Sequence, residues 1–328
     1  MSEPFRKEYE LQAPPQDGIT CVRFAPTSSL LLASSWDKTV RVYDAVQNEA
    51  KSVIEMQLPV LSCAWWSGES CFAGGLSKSV DVLNIGTGEV QRSLGAHEAS
   101  VKCMEWAEGV QQLVSGGWDS ALKVWDPRAA NALLHSVQLP GKVYSMGIAD
   151  NTLVVATSGR KVVVFDVRNL SAGVPDQVKD SPLKFQTRCV LPLPKMSGYA
   201  LSSIEGRVAV DYLTQADQDK KYAFKCHRQG TTVFPVNTMA VHPGFGTVAT
   251  GGCDSLVNVW DIANKKRLAQ FRGFPTSIAS LDFNHDGTLL AIASSYTFEE
   301  GDKEHPSDTI WIKEIDPKDV RPKAKKAA

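Results

Sequence analysis

The sequence predicts an all-β fold, a seven-bladed β-propeller, and two columns of residues carry that prediction. The first is a set of seven alternating apolar/polar segments, each closing one repeat: 39–44, 79–84, 121–126, 161–166, 207–212, 256–261 and 309–314. Their ends are spaced by 40, 42, 40, 46, 49 and 53 residues. The first three spacings match the roughly 40–45-residue period of a four-stranded blade, and the later ones fit the same unit with longer loops.

The second column runs through the first strand of each repeat. Segments 19–24, 61–66, 101–106, 143–148, 187–192, 236–241 and 278–283 place Cys21, Cys63, Cys103, Ser145, Cys189, Thr238 and Ser280 at their third position. Each is small, so four of the seven cysteines are expected in one packing column, as small buried side chains. Apolar segments such as 30–35, 112–116, 153–157, 247–251 and 289–293 supply middle strands. Residues 9–12 precede blade one and are placed to join the last blade as its outer strand, closing the ring. The expected layout is one propeller over 1–315 and a basic, disordered tail over 316–328.

Composition narrows the function. With 328 residues, 43% hydrophobic, the chain can bury a large core. The formal charge of −1 supplies no global field for nucleic acid or an acidic membrane. No apolar run reaches the roughly 18 residues of a membrane span. Residues 1–7 lack the apolar core of a signal peptide, so an intracellular, reducing compartment is expected. Seven cysteines are an odd number and form no Cys-x-x-Cys, which argues against a disulfide framework or a zinc site. No nucleophile elbow, phosphate-cradling loop or dinucleotide fingerprint occurs. The chain is expected to be no enzyme and to need no cofactor or metal.

The closing dipeptides are Trp125-Asp126 and Trp260-Asp261, with Tyr43-Asp44 and Phe165-Asp166 as variants. This pattern resembles WD40 repeats. Blade three carries the fullest set, and the resemblance implies that His97, Ser115, Asp119 and Trp125 form a structural hydrogen-bonded tetrad. That reading is preferred over a Ser/His/Asp catalytic triad. Two turns break the repeat pattern. Ser34-Ser35-Trp36-Asp37 and Gly116-Gly117-Trp118-Asp119 place an indole where small or polar residues belong, whereas Gly251-Gly252-Cys253-Asp254 does not. Two exposed indoles on one rim would make an apolar docking surface, since tryptophan is enriched among interface hot spots. Arg207 follows a Glu205-Gly206 turn at the same rim. Lys220, Lys221, Lys225 and Arg228 lie on the outer part of blade five, with side chains suited to carboxylate or phosphate. The acidic insertion 296–306 in blade seven is expected to be mobile.

More specific segments follow. Ser202-Ser203-Ile204-Glu205-Gly206-Arg207-Val208-Ala209-Val210, Tyr222-Ala223-Phe224-Lys225-Cys226-His227-Arg228, Phe234-Pro235-Val236-Asn237 and Pro275-Thr276-Ser277-Ile278-Ala279-Ser280-Leu281 closely resemble the WD40 proteins of the spindle assembly checkpoint, the non-kinase "budding uninhibited by benzimidazole" family. The resemblance implies a kinetochore adaptor found in the nucleus, on mitotic chromosomes and in the cytoplasm. Its implied partners are a checkpoint kinase and that kinase's pseudokinase-like relative, bound through a short peptide, and a kinetochore scaffold with phosphorylated Met-Glu-Leu-Thr repeats. By similarity, Trp36, Trp118 and Arg207 grip the kinase peptide, and Lys225, Arg228 and His227 serve the phosphothreonine peptide. The alternative is the related messenger-RNA export WD40 protein, which binds a nucleoporin peptide and RNA.

Overall fold

A computed structural model describes residues 8–323. Seven four-stranded antiparallel sheets surround an axis. In blades one to six the four strands run in chain order from the axis outward, as in Ile19–Phe24, Leu30–Ser35, Thr39–Asp44 and Glu49–Glu55. Blade seven takes three strands from Ile278–Phe283, Leu289–Ser294 and Thr309–Glu314, and its fourth from the other end of the chain, Glu8–Glu10. Tyr9 pairs with Ile312, and the Leu11 N–H donates to Ile310 O at 2.8 Å, so the expected closure by the N-terminal strand is present.

The innermost strands share one irregularity. In every blade the register slips between the first and third residue: Ile19/Cys21, Val60/Ser62, Val101/Cys103, Val143/Ser145, Thr187/Cys189, Val236/Thr238 and Ile278/Ser280. The bulge leaves the second residue of the strand out of the ladder, and the third, back in register, reaches the next blade with its side chain. Ser280 Oγ accepts the Val22 N–H at 3.0 Å, Ser62 Oγ the Met104 N–H at 3.1 Å, Ser145 Oγ the Val190 N–H at 3.0 Å and Thr238 Oγ1 the Leu281 N–H at 3.1 Å. Cys21, Cys103 and Cys189 stand at the same position in the other three blades. The column needs a small side chain with an acceptor at the γ position, and Ser, Thr and Cys are the residues that provide it.

This corrects the sequence register in blade two. Its column residue is Ser62, and three column positions hold cysteine. Cys63 lies one residue further, fully buried in the cluster between blades one and two with Val60, Trp65 and Leu83. The segment begins at Val60, and two adjacent small residues made the alignment ambiguous by one.

Two further expectations change. The tail does not begin at 316. Pro317–Val320 forms one helical turn, with Asp316 accepting from the Lys318 N–H. Val320 is 1% exposed within the blade-six core, and its carbonyl accepts from Thr247 Oγ1 at 2.9 Å. It is a large apolar side chain in an otherwise polar stretch, which is why it docks. Residues 324–328 lie outside the described part. The blade-seven insertion is also folded on itself. Tyr296 packs on Phe298 at 5.3 Å and on His305 at 5.0 Å, and its hydroxyl donates to Gly301 O at 2.8 Å.

Thr238→Val is nearly isosteric but leaves the Leu281 amide unpaired in the core. It is expected to lower stability by about 1–3 kcal/mol, while Thr238→Ser stays near wild type in thermal unfolding.

Candidate functional site

Two blades carry the same buried chain of hydrogen bonds. In blade three, Trp125 Nε1 donates to Ser115 Oγ at 2.8 Å, Ser115 meets His97 Nε2 at 2.7 Å, and His97 Nδ1 meets Asp119 at 2.9 Å. In blade six, Trp260 Nε1 donates to Thr250 Oγ1 at 3.0 Å, Thr250 meets His227 Nε2 at 2.9 Å, and His227 Nδ1 meets Asp254 at 2.7 Å. The directions are forced. The carboxylate can only accept, so Nδ1 carries the proton of the neutral ring, Nε2 accepts from the hydroxyl, and the hydroxyl accepts from the indole. Burial, opposed by Asp119, holds His97 below the ordinary imidazole value of 6.5. Glycine makes room beneath each histidine: a Cβ on Gly117 would stand 2.6 Å from His97 Nδ1, and one on Gly252 2.5 Å from His227 Nδ1.

The expected tetrad of His97, Ser115, Asp119 and Trp125 is thus assembled. His227 is corrected. It is fully buried with both ring nitrogens committed, so it holds blade six together and has no face for a phosphopeptide. The sequence contained the signal. Thr250 and Asp254 precede Trp260 by the same intervals as Ser115 and Asp119 precede Trp125, so a fourth partner was required upstream. The strands Arg228–Gln229 and Thr232–Val233 form a small ribbon that lengthens the interval and hid it.

The rim is set by another repeated bond. The first residue of each inter-strand turn donates its N–H to the segment entering the same blade: Trp36 to Gly18 O, Trp118 to Ser100 O and Ile204 to Gln186 O, at 2.9, 2.9 and 3.1 Å. Cys253 to Pro235 O and Ser295 to Ser277 O occupy the same position in blades six and seven, at 3.0 and 2.8 Å. These side chains therefore surround the axial mouth. A cavity of about 820 Å³ opens there, lined by Trp36, Trp118, Tyr144, Phe298 and the cations Lys102, Lys142 and Arg188. Trp36 is 42% exposed and Trp118 half-buried. None of the three cations enters an ion pair among the described residues. Arg188 rests on the Asn237 amide oxygen, Nη2 at 2.8 Å and Nε at 3.2 Å. The mouth thus joins indole surface to three cations, with Asp17 as the carboxylate in its lining. Below it, the channel narrows around an Arg23–Glu105 ion pair at 2.8 Å.

Arg207 does not line this cavity. It begins the third strand of blade five, Arg207–Tyr212, directly opposite Lys225 on the outer strand Tyr222–Lys225. Like charges across a ladder repel. Arg207 Nε is 3.5 Å from Glu205 Oε1, while Lys225 is exposed and in no ion pair among the described residues. Arg228 keeps a buried Nε with no hydrogen-bond partner among the described residues. Blade five therefore carries a second cationic patch beside the first. Sequence reading missed Lys102, Lys142, Arg188 and Phe298 as docking residues, because they come from separate blades and only the ring closure gathers them.

The repeats, the tetrads and the ring define a WD40-repeat propeller. A family model for the WD domain, G-beta repeat matches residues 5–44, 88–126 and 219–261. The mitotic checkpoint protein BUB3.1 of Arabidopsis thaliana is 46% identical over 96% of this chain and 95% of its own length. The mitotic checkpoint protein bub3 of Dictyostelium discoideum is 42% identical over 96% of both chains. A Poly(A)+ RNA export protein of Schizosaccharomyces pombe is 34% identical over 98% of this chain and 94% of its own. The chain belongs to the family of the Bub3 mitotic checkpoint proteins.

His97→Gln and His227→Gln should both lower thermal stability by about 1–3 kcal/mol, because each strands buried partners, whereas Lys225→Glu leaves it within about 0.5 kcal/mol. The pH dependence has a sign. With folded His97 held below 6.5, the unfolded chain takes up the proton first on acidification. Its contribution is whole above the unfolded value and fades as pH falls below it, so wild type should lose more stability than His97→Gln between pH 7 and about pH 5.5.

Proposed function

We propose that this chain is a spindle assembly checkpoint adaptor that brings checkpoint kinases to kinetochores without catalysing a reaction. The observation that carries this reading is the mouth itself, where Trp36 and Trp118 share one cavity with three cations that outnumber its single carboxylate, Asp17, and enter no ion pair among the described residues. A short peptide with apolar and acidic side chains satisfies both features. The indoles take apolar contacts and the cations take carboxylates, with Arg188 offering N–H groups beyond those held by Asn237. Arg207, three residues beyond the exposed rim residue Ile204, serves a peptide that leaves the mouth over blade five. The kinase and its pseudokinase-like relative supply this peptide.

The blade-five patch takes the second partner, the phosphorylated Met-Glu-Leu-Thr repeats of the kinetochore scaffold. A phosphate carries about −1.5 to −2 charge, which the exposed Lys225 can meet, and it can recruit Arg228. Phosphorylation then switches recruitment on through electrostatics alone. The protein acts in the nucleus and cytoplasm and at kinetochores in mitosis. A second reading, messenger-RNA export through a nucleoporin peptide and RNA, has the support of the Poly(A)+ RNA export relative, at lower identity than the checkpoint proteins.

Calorimetry with the kinase peptide tests the first site. Trp118→Ala is expected to weaken binding by at least about 2 kcal/mol while the chain stays folded. Unchanged affinity for Trp118→Ala and Arg188→Glu together would sink the assignment. For the second site, the scaffold peptide should bind only when its threonine is phosphorylated, and Lys225→Glu should weaken it by about 1–3 kcal/mol. Pulldown from mitotic cells separates the two readings: kinase and scaffold support the checkpoint, nucleoporin and RNA support export.

A further inference from the structure

The cation Arg188 and the aromatic Phe298 stand at one mouth but belong to blades five and seven. Blade six lies between them, and Asn237 is the side chain that bridges them. Its Oδ1 accepts both Arg188 contacts. Its Nδ2 faces Ile278 O at 3.1 Å, Cys253 Sγ at 3.2 Å and Thr297 Oγ1 at 3.4 Å. The amide cannot turn over. A flip would set its NH₂ against the guanidinium, donor to donor, and its oxygen against a carbonyl. The chain continues one way. Thr297 Oγ1 donates to Glu299 Oε2 at 2.8 Å, the Thr297 N–H meets the same oxygen at 3.2 Å, and Ser277 Oγ donates to the other carboxylate oxygen. A cation at the donor end and a carboxylate at the acceptor end polarise every link between them.

This line ends at a residue in a demanding conformation. Phe298 has φ 57°, the left-handed region that a bulky side chain adopts only when its surroundings hold it. Thr297 and Glu299 flank it and are fixed by the bonds above. Phe298 is 56% exposed and lines the mouth. An exposed aromatic ring held against backbone preference beside a tethered cation is a preorganised contact.

We propose that Asn237 is a positioning residue that couples Arg188 to Phe298, so that a peptide carboxylate on Arg188 and an apolar side chain under Phe298 bind as one cooperative unit. The inference rests on the reading of the mouth as a peptide-docking site. It adds a selectivity rule: the partner carries an acidic and an apolar residue close enough to meet both groups at once, and a peptide with only one gains little.

A double-mutant cycle with the kinase peptide tests it. Asn237→Ala and Phe298→Ala are each expected to weaken binding roughly tenfold, or about 1.4 kcal/mol, and the double variant little more than either. Losses that multiply would overturn the coupling. Hydrogen exchange on the free protein gives an independent arm. Amides of 297–303 should exchange several-fold faster in Asn237→Ala and in Thr297→Val but not in Thr297→Ser, while strand Val248–Gly252 keeps its protection. Unchanged exchange in Asn237→Ala, or equal effects of the two Thr297 variants, would overturn the proposal. If Asn237→Ala fails to fold, the Thr297 pair still decides. If wild type does not bind the peptide, the docking reading fails, and the exchange arm still reports on the network.

Discussion

The propeller depends on one small contact repeated around its axis. On the innermost strand of each blade a Ser, Thr or Cys follows the bulged residue, and the hydroxyls among them accept an amide hydrogen from the next blade. Sheets that face each other through apolar side chains can slide, because dispersion and the hydrophobic effect have no direction. A hydrogen bond does have direction, so the ring fixes the angular register of each blade against its neighbour. Around the axis, where the strands crowd, larger side chains would not fit. That crowding explains why free cysteines recur there without any redox or metal role being required, and burial pushes the Cys103 thiol up to about 12.

The docking surface borrows this registration. Trp36 and Trp118 come from blades one and three, Lys142 and Tyr144 from blade four, Arg188 from blade five and Phe298 from blade seven. Their mutual placement is only as good as the ring beneath them. The scaffold and the surface also share single turns. In Gly116-Gly117-Trp118-Asp119, Gly116 leaves room for Val143 of the next blade and Gly117 for His97, Asp119 completes the tetrad, and the indole alone is left for the outside. A turn held this firmly can carry a large exposed aromatic without that residue drifting into the core.

The fold was legible because a circular array repeats its pattern, and repetition averages over local ambiguity. The seven closing strands and the strand that completes blade seven all follow from it. Single positions were less secure. Cys63 was placed one residue out, since a bulge breaks the period of two on which strand alignment relies. His227 joined the phosphopeptide set by resemblance alone, because its tetrad partners lie beyond an inserted ribbon. Val320 was counted with a polar tail because one apolar residue makes no periodic signal. Trp36 and Trp118 were found as departures from the pattern. Arg188 and Asn237 were not, since each looks ordinary in its own strand and acquires meaning only across blade boundaries.

The strand Glu8–Glu10 has a consequence for how the chain is made. It is synthesised well before its partner Thr309–Glu314, although the two lie side by side in one sheet. During synthesis blade one can form its own sheet, but the leading segment has nothing to pair with until about three hundred residues have followed. Blade seven, in turn, emerges with an open edge of unsatisfied backbone groups, and such an edge can template pairing with another chain. Ring closure is thus a long-range pairing of an early segment with a late one, and a chain without Glu8–Glu10 would leave the edge of blade seven exposed.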